Sequence, residues 1–219
     1  MRKSTPAQFV LRVLIYCVGL LLLALGVAVS VNSNLGVSPV NSLPYIISEI
    51  VGVSMGNCVI VVFCTYILLQ ILLLRKDFKL INLTQIVFST IFGYFVDFAK
   101  ALVGDWAIPT YFGKLVMLAI SILVIALGVL LYMDVELVPM PMEGLSSTLA
   151  KVMKVPFPTM KTIVDCVVVA TGVVLSFIFL GGLQGIREGT IITALVTGKI
   201  IAVLRKFVTP RVKKLCFGE

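Results

Sequence analysis

Residues 34–53 read NLGVSPVNSLPYIISEIVGV, an apolar stretch interrupted by Pro39 and Pro44 and carrying the polar pair Asn41 and Ser42. A second such stretch, residues 136–155, reads ELVPMPMEGLSSTLAKVMKV, with Pro139, Pro141 and Glu143. Proline has no backbone N–H to donate, and it drives the preceding residue away from helical geometry. Pro39 and Pro141 are therefore expected to fix a turn followed by a short helix. Pro141 lies 102 positions after Pro39 (39 to 141), and the two stretches stay aligned at that offset. Leu43 meets Leu145, Val53 meets Val155, and the polar position Asn41 meets Glu143.

The same offset governs what precedes them. Ala24-Leu25-Gly26-Val27 is repeated as Ala126-Leu127-Gly128-Val129, and Asn32 and Asn34 stand opposite Asp134 and Glu136. Long uncharged runs flank both stretches, at residues 13–31, 59–74, 115–133 and 167–180. Each is long enough, or nearly so, to cross a hydrocarbon core of roughly 30 Å as a helix. Only 13% of the residues are charged and 60% are hydrophobic, a balance that a water-exposed surface does not support. The composition predicts a polytopic all-α membrane bundle, one integral membrane domain over residues 1–219.

Each copy then has four parts. Repeat 1, residues 9–103, holds helices near 9–31, 56–74 and 81–103 around its broken stretch. Repeat 2, residues 111–208, holds helices near 111–133, 158–180 and 189–208. Irregular backbone at membrane depth must be buried in protein or line a cavity. A half-helix that enters and leaves on one side satisfies this, which leaves three crossings per copy. Three is odd, so the copies are expected to be inverted, giving six transmembrane helices plus two re-entrant half-helices. An eight-span arrangement also obeys the charge rule and stays open.

The net charge of +8 fits a membrane protein better than a nucleic-acid partner. Lys and Arg concentrate on cytoplasmic loops, and here they cluster at Arg2/Lys3/Arg12, Arg75/Lys76/Lys79, Lys151/Lys154/Lys161 and the tail over 209–219. Both termini are expected to be cytoplasmic, in a bacterial inner (cytoplasmic) membrane. The first apolar run resembles a signal peptide, but its end recurs inside the chain, so it reads as the first span. Trp106, Tyr111 and Phe112 read as an interfacial belt. Gly56, Gly93, Gly128, Gly172 and Gly198 read as close helix contacts, and residues 185–189 (GIREG) as a loop between spans.

The absence of histidine removes Ser-His-Asp catalysis and His-ligated metals from consideration. The five cysteines form no CxxC pair and read as small hydrophobes. No enzyme activity, metal or other cofactor is expected. Chemistry is left to the polar groups in apolar surroundings, which are costly there and usually face a cavity or a partner. A half-helix starting at Pro39 or Pro141 would point amide groups and the positive end of its dipole inward, suiting an anion or a carboxylate-bearing solute. The candidate substrate-binding residues are Pro39, Asn41, Ser42, Pro141 and Glu143, with Glu143 also a candidate coupling carboxylate. Asp165 and Lys199 are a candidate gate pair. Asp97 is an alternative partner for Lys199, and Lys161, four residues before Asp165, is a partner on the same helix face. Asp134 and Glu136 are expected to be exposed at a helix end, and Glu49 is left undecided.

Three short motifs are similar to those of one family: Gly36-Val37-Ser38-Pro39-Val40-Asn41-Ser42-Leu43, the Gly-Val-Ser-Met-Gly-Asn turn from Gly52 to Asn57, and Gly-Ile-Arg-Glu-Gly-Thr-Ile-Ile from Gly185 to Ile192. Over residues 10–208 the chain resembles the YczE branch of the YczE/YyaS/YitT family of bacterial integral membrane proteins. The resemblance implies an inner-membrane protein without an agreed biochemical activity, and no catalytic residue carries over. YitT-like members have an additional soluble C-terminal domain, which the resemblance does not extend to here. Where the family commonly has an acidic residue after the first proline turn, this chain has Asn41, leaving Glu143 as the acidic member. The expected function is that of a small-solute transporter or exporter with its site between the repeats, in a lipid bilayer and with homo-oligomers allowed. A non-transporting scaffold or accessory protein is the alternative.

Overall fold

Eight helices follow one another along residues 6–217, the part of the chain that the computed structural model describes, and no strand occurs among these residues. Arg2 and Lys3 of the first basic cluster, and the last two residues of the basic tail, lie outside it. The elements are α1 (Pro6–Ser33), α2 (Pro39–Val51), α3 (Met55–Leu74), α4 (Thr84–Val103), α5 (Tyr111–Asp134), α6 (Pro141–Met153), α7 (Phe157–Leu180) and α8 (Glu188–Phe217). Five of them, α1, α3, α4, α5 and α7, are long and apolar enough to cross a membrane.

Small residues set the way these helices pack. Helices α1 and α5 run antiparallel: Gly19 lies on Gly128, and Gly26 lies on Ser121 and Ile125. A methyl group on Gly19 would sit 2.9 Å from the Gly128 carbonyl oxygen, so only glycine permits this backbone approach. Helices α3 and α4 also run antiparallel, with Gly56 against Gly93 near one end and Gln70 hydrogen-bonded to Gln85 near the other. A hydrophobic core including Tyr16, Leu20, Phe63, Phe92 and Met142 fills the space among α1, α3, α4 and α6.

The end where α1 begins is called proximal and the other end distal. At the distal end Asn32, late in α1, donates to the carbonyls of Gly104 and Trp106 that follow α4, at 2.7 and 3.0 Å. There too α3 begins, its Gly56 amide donating to Asp97 of α4 at 2.7 Å. The chain thus enters and leaves α2 at the distal end. Helix α5 finishes at the proximal end, where Arg12 of α1 donates to the carbonyls of Val135 and Glu136 at 2.8 and 2.9 Å. Helix α7 begins at that end, since its far terminus runs into the loop bonded to Val37 at the distal end. Helix α6 therefore leaves and returns proximally.

Both short helices have 13 residues, about 20 Å at a rise of 1.5 Å per residue, and each begins with its proline in the first turn. That position is where the missing N–H costs nothing. Left-handed residues bracket them at matching places: Asn34 (φ 53°) and Glu136 (φ 51°) before, Gly52 (φ 69°) and Lys154 (φ 56°) after. Asparagine and glycine around α2, and a strained glutamate and lysine around α6, supply the reversals that let the chain double back.

Three positions differ from the sequence reading. Asp134 is not exposed: it is 8% accessible, and its carboxylate accepts the Thr209 hydroxyl of α8 at 2.5 Å. Helix α8 does not stop near Val208 but continues through Pro210 to Phe217. Its Arg211 guanidinium donates to the Phe207 carbonyl at 3.3 Å, one turn earlier. Gly198 makes no close contact, and nothing lies within 4 Å of where its Cβ would be.

A cavity between the two short helices

The first turns of α2 and α6 open from opposite ends of the bundle onto one internal cavity of about 400 Å³. Pro39 and Asn41 line it from α2, Glu143 from α6, Lys161 and Asp165 from α7, and Thr193 and Thr197 from α8. Its remaining walls are mostly apolar, with Phe63, Phe92, Ile125 and Val129 among them. A volume of this size is in the range of small-molecule sites, roughly 300–1,000 Å³. Of the sequence candidates, Pro39, Asn41, Glu143 and Asp165 meet on this cavity. Pro141 and Ser42 are buried behind it and shape the helix starts.

Each polar group has a local reason for its place. Asn41 occupies the third position of α2 and is 2% accessible. Its amide nitrogen donates to Ser38 Oγ at 3.1 Å, while Oδ1 has no partner. Ser42 turns back on the Pro39 carbonyl at 2.8 Å, leaving no donor for the cavity. Glu143 holds the third position of α6, with one carboxylate oxygen turned toward its own helix start and Tyr132. The other carboxylate oxygen, Oε2, is buried and unpaired. Behind α6, the Gln70 amide donates to the Pro141 carbonyl at 3.1 Å, and Gly144 leaves the room that Gln70 needs.

Lys161 donates to both oxygens of Asp165, at 2.5 and 2.7 Å, so the i,i+4 pair on α7 forms as the spacing predicts. Lys199 is exposed on α8 and, among the described residues, pairs with neither Asp165 nor Asp97. Asp97 instead caps α3, accepting the Ser54 hydroxyl and the Gly56 amide, both at 2.7 Å. Glu49 and Glu136 are exposed. A second cavity of about 460 Å³ lies at the proximal end, bordered by Glu136, Pro139 and Ser147, and it shares Tyr132, Met133, Glu143 and Phe157 with the first. Glu143 thus stands at the junction between the interior and that end.

Sequence reasoning missed Tyr132, Thr193 and Thr197. The two threonines are four residues apart in an apolar helix and therefore share a face, which is a readable signal. Tyr132 gave none, because its role depends on α5 reaching the start of α6.

A chain whose described residues are all helical or connecting loop, with five helices able to cross a bilayer and a mostly apolar cavity carrying a few polar groups among them, is a multi-pass integral membrane protein. The chain belongs to the family described as "Family of unknown function (DUF6198)", which matches residues 10–206. It is 28% identical over 197 residues to "Uncharacterized membrane protein YczE" of Bacillus subtilis (strain 168), covering 89% of this chain and 85% of that protein. It is 25% identical over 194 residues to "Uncharacterized protein YyaS" of the same organism, covering 88% and 92%. The resemblance drawn from the proline, turn and Gly-Ile-Arg-Glu-Gly motifs is thereby borne out. No solved structure matches the chain.

Proposed function

We propose that this protein carries a small solute across the bacterial cytoplasmic membrane, binding it between Pro39–Ser42 and Pro141–Glu143. The observation that carries this reading is the meeting of two half-helix starts, entered from opposite ends, on one cavity with unpaired Asn41 and Glu143 oxygens. Many transporters place their site at such a meeting of broken helices between inverted repeats. We further propose that residues 9–103 and 111–208 are two inverted copies, giving six spans with both termini cytoplasmic. The antiparallel α1–α5 pair and the left-handed residues recurring 102 positions apart (34 to 136, 52 to 154) support that relation. Alternating access would then rock one copy against the other, with Glu143 as the binding or coupling carboxylate.

Two measurements test this. In a variant without the five native cysteines, Asn41→Cys and Glu143→Cys should react with a membrane-impermeant maleimide added from either side of sealed vesicles. Labelling of neither position from either side would favour a scaffold and remove transport. Topology is checked in the same background: Lys76→Cys should label from the cytoplasmic side and Lys114→Cys from the outside. Labelling of both from one side would overturn the six-span, inverted arrangement.

A further inference from the structure

The cavity described above is unfavourable for an anion, although it lies at two helix starts. The positive end of α6 already carries a carboxylate, since Glu143 stands in its first turn. The neighbouring amides are already engaged: Asn41 and Ser42 donate to the Ser38 carbonyl at 2.9 and 3.0 Å, and Gly144 donates to the Met140 carbonyl at 2.9 Å. Among the side chains, what remains unpaired is chiefly acceptor oxygen. Asn41 Oδ1 and Glu143 Oε2 accept only, and the hydroxyls of Thr193 and Thr197 face the same space without a partner. Thr193 is 1% accessible, so water outside the protein does not satisfy it. Lys161 is committed to Asp165 by two short bonds, so an ionised Glu143 gives the group Glu143, Lys161 and Asp165 a net charge of −1. Arg205 borders the same cavity from α8, but its side chain is exposed rather than buried, so the uncompensated negative charge is confined to the inner end. The inner end of the cavity therefore asks for a hydrogen-bond donor bearing positive charge.

The rest of the cavity asks for something apolar, and it is open on one side. In the first half of the chain α3 and α4 close on each other through Gly56 and Gly93, backbone against backbone. In the second half α7 and α8 barely touch. Gly198, which stands opposite Gly93 at an offset of 105 (93 to 198), faces open space instead. Ala194 and Gly198 both line the cavity and are both exposed, so the opening lies between these two helices. Exposed Ile163 and Val167 on α7, and Leu195 and Val203 on α8, continue it into an apolar outer surface of the kind that meets lipid.

We propose that the cavity binds amphipathic amines: the ammonium head is held by Glu143 and Asn41, and the hydrocarbon tail lies sideways through the opening between α7 and α8. This rests on the reading of the cavity as the solute site, and it replaces the anionic solute suggested by the helix starts alone. A solute of this class reaches the cavity from the membrane rather than from water, so the gap is its entry path. The Thr193 and Thr197 hydroxyls accept the remaining ammonium protons.

The test uses the full-length protein in lipid nanodiscs and a dodecylamine carrying a diazirine in its alkyl chain. After photolysis, the label should map to segments 157–168 and 193–205. Decylamine should compete about tenfold or more better than decanol or decanoate, the difference expected for one hydrogen bond to a charged group. Glu143→Gln should abolish that preference while leaving competition by decanol unchanged, which also shows that the variant is folded. Gly198→Leu, placed where a side chain meets nothing, should block labelling by filling the gap. Equal competition by decanoate, or an amine preference surviving Glu143→Gln, would overturn the proposal. The result separates cleanly from transport. Amine-selective labelling with positions 41 and 143 closed to maleimide keeps the ligand class and removes transport, and the opposite pattern removes the ligand class alone.

Discussion

Arg12→Ala is expected to destabilise the protein by roughly 2–5 kcal/mol, because it strips two carbonyls of their donors and water cannot replace them. Arg12 is 1% accessible although it lies near the start of the first helix. Its guanidinium donates to the carbonyls of Val135 and Glu136, at 2.8 and 2.9 Å, where α5 ends and the chain turns toward α6. It also lies over the Phe217 ring at 4.9 Å, tying the last turn of α8 to the first turns of α1. A positive charge at a helix C-terminus is favourable in itself, and more so away from water. Arg187 offers an internal control, since it donates to the Asn34 carbonyl at 3.2 Å, at the matching place after α1, but from an exposed position. Arg187→Ala should cost under about 1 kcal/mol, as water takes over the bond. Arg12→Lys should fall between, because a single ammonium lacks the fork that serves two carbonyls. Thermal or denaturant midpoints in detergent micelles read the series. A loss at Arg12 no larger than that at Arg187 would show that burial is not what gives the bond its weight.

The contrast between these two arginines also marks the limit of what the chain discloses by itself. From sequence, Arg12 is one more basic residue in a cytoplasmic cluster. Its role depends on residues more than 120 positions away (12 to 135), and nothing local announces that. Asp134 and Asp97 were obscure for the same reason: each carboxylate is held by a helix that only tertiary packing brings near. The short helices were legible because their causes are local. Proline fixes the first turn, so residues 39 and 141 predict the helix starts that form. Around α2 an asparagine and a glycine mark the reversals, whereas Glu136 and Lys154 around α6 give no such sign. The cavity was half legible. Asn41 and Glu143 stand out as polar residues among apolar ones, whereas Tyr132 does not. The polarity of the site was obscure as well, since which amides the first turns of α2 and α6 have already engaged cannot be read from the prolines that start them.

Glycine is the residue on which the local signal fails most instructively, and Gly56→Ala against Gly198→Ala tests why. Gly56 and Gly198 look alike in sequence, each in an apolar helix. A methyl on Gly56 would sit 2.1 Å from the Gly93 carbonyl oxygen and 2.6 Å from the Asp97 carboxyl carbon. Neither neighbour is the loose end of a flexible chain, since one is backbone and the other caps α3 through Ser54 and the Gly56 amide. Helix α3 would have to move off α4 and lose that cap. Overpacking and cap loss together predict a cost of about 2–4 kcal/mol. At Gly198 nothing is within 4 Å, so alanine should be neutral or should stabilise α8 by up to about 1 kcal/mol through helix propensity. Unfolding midpoints of the two variants against the parent decide it. Equal losses would mean that α8 closes on α7 in the membrane as α4 closes on α3, sealing the side of the cavity. A loss confined to Gly56 would mean that the two halves of the chain, so alike in their prolines, differ where it matters for access: one wall is shut by glycine against glycine, and the other is left open to the bilayer.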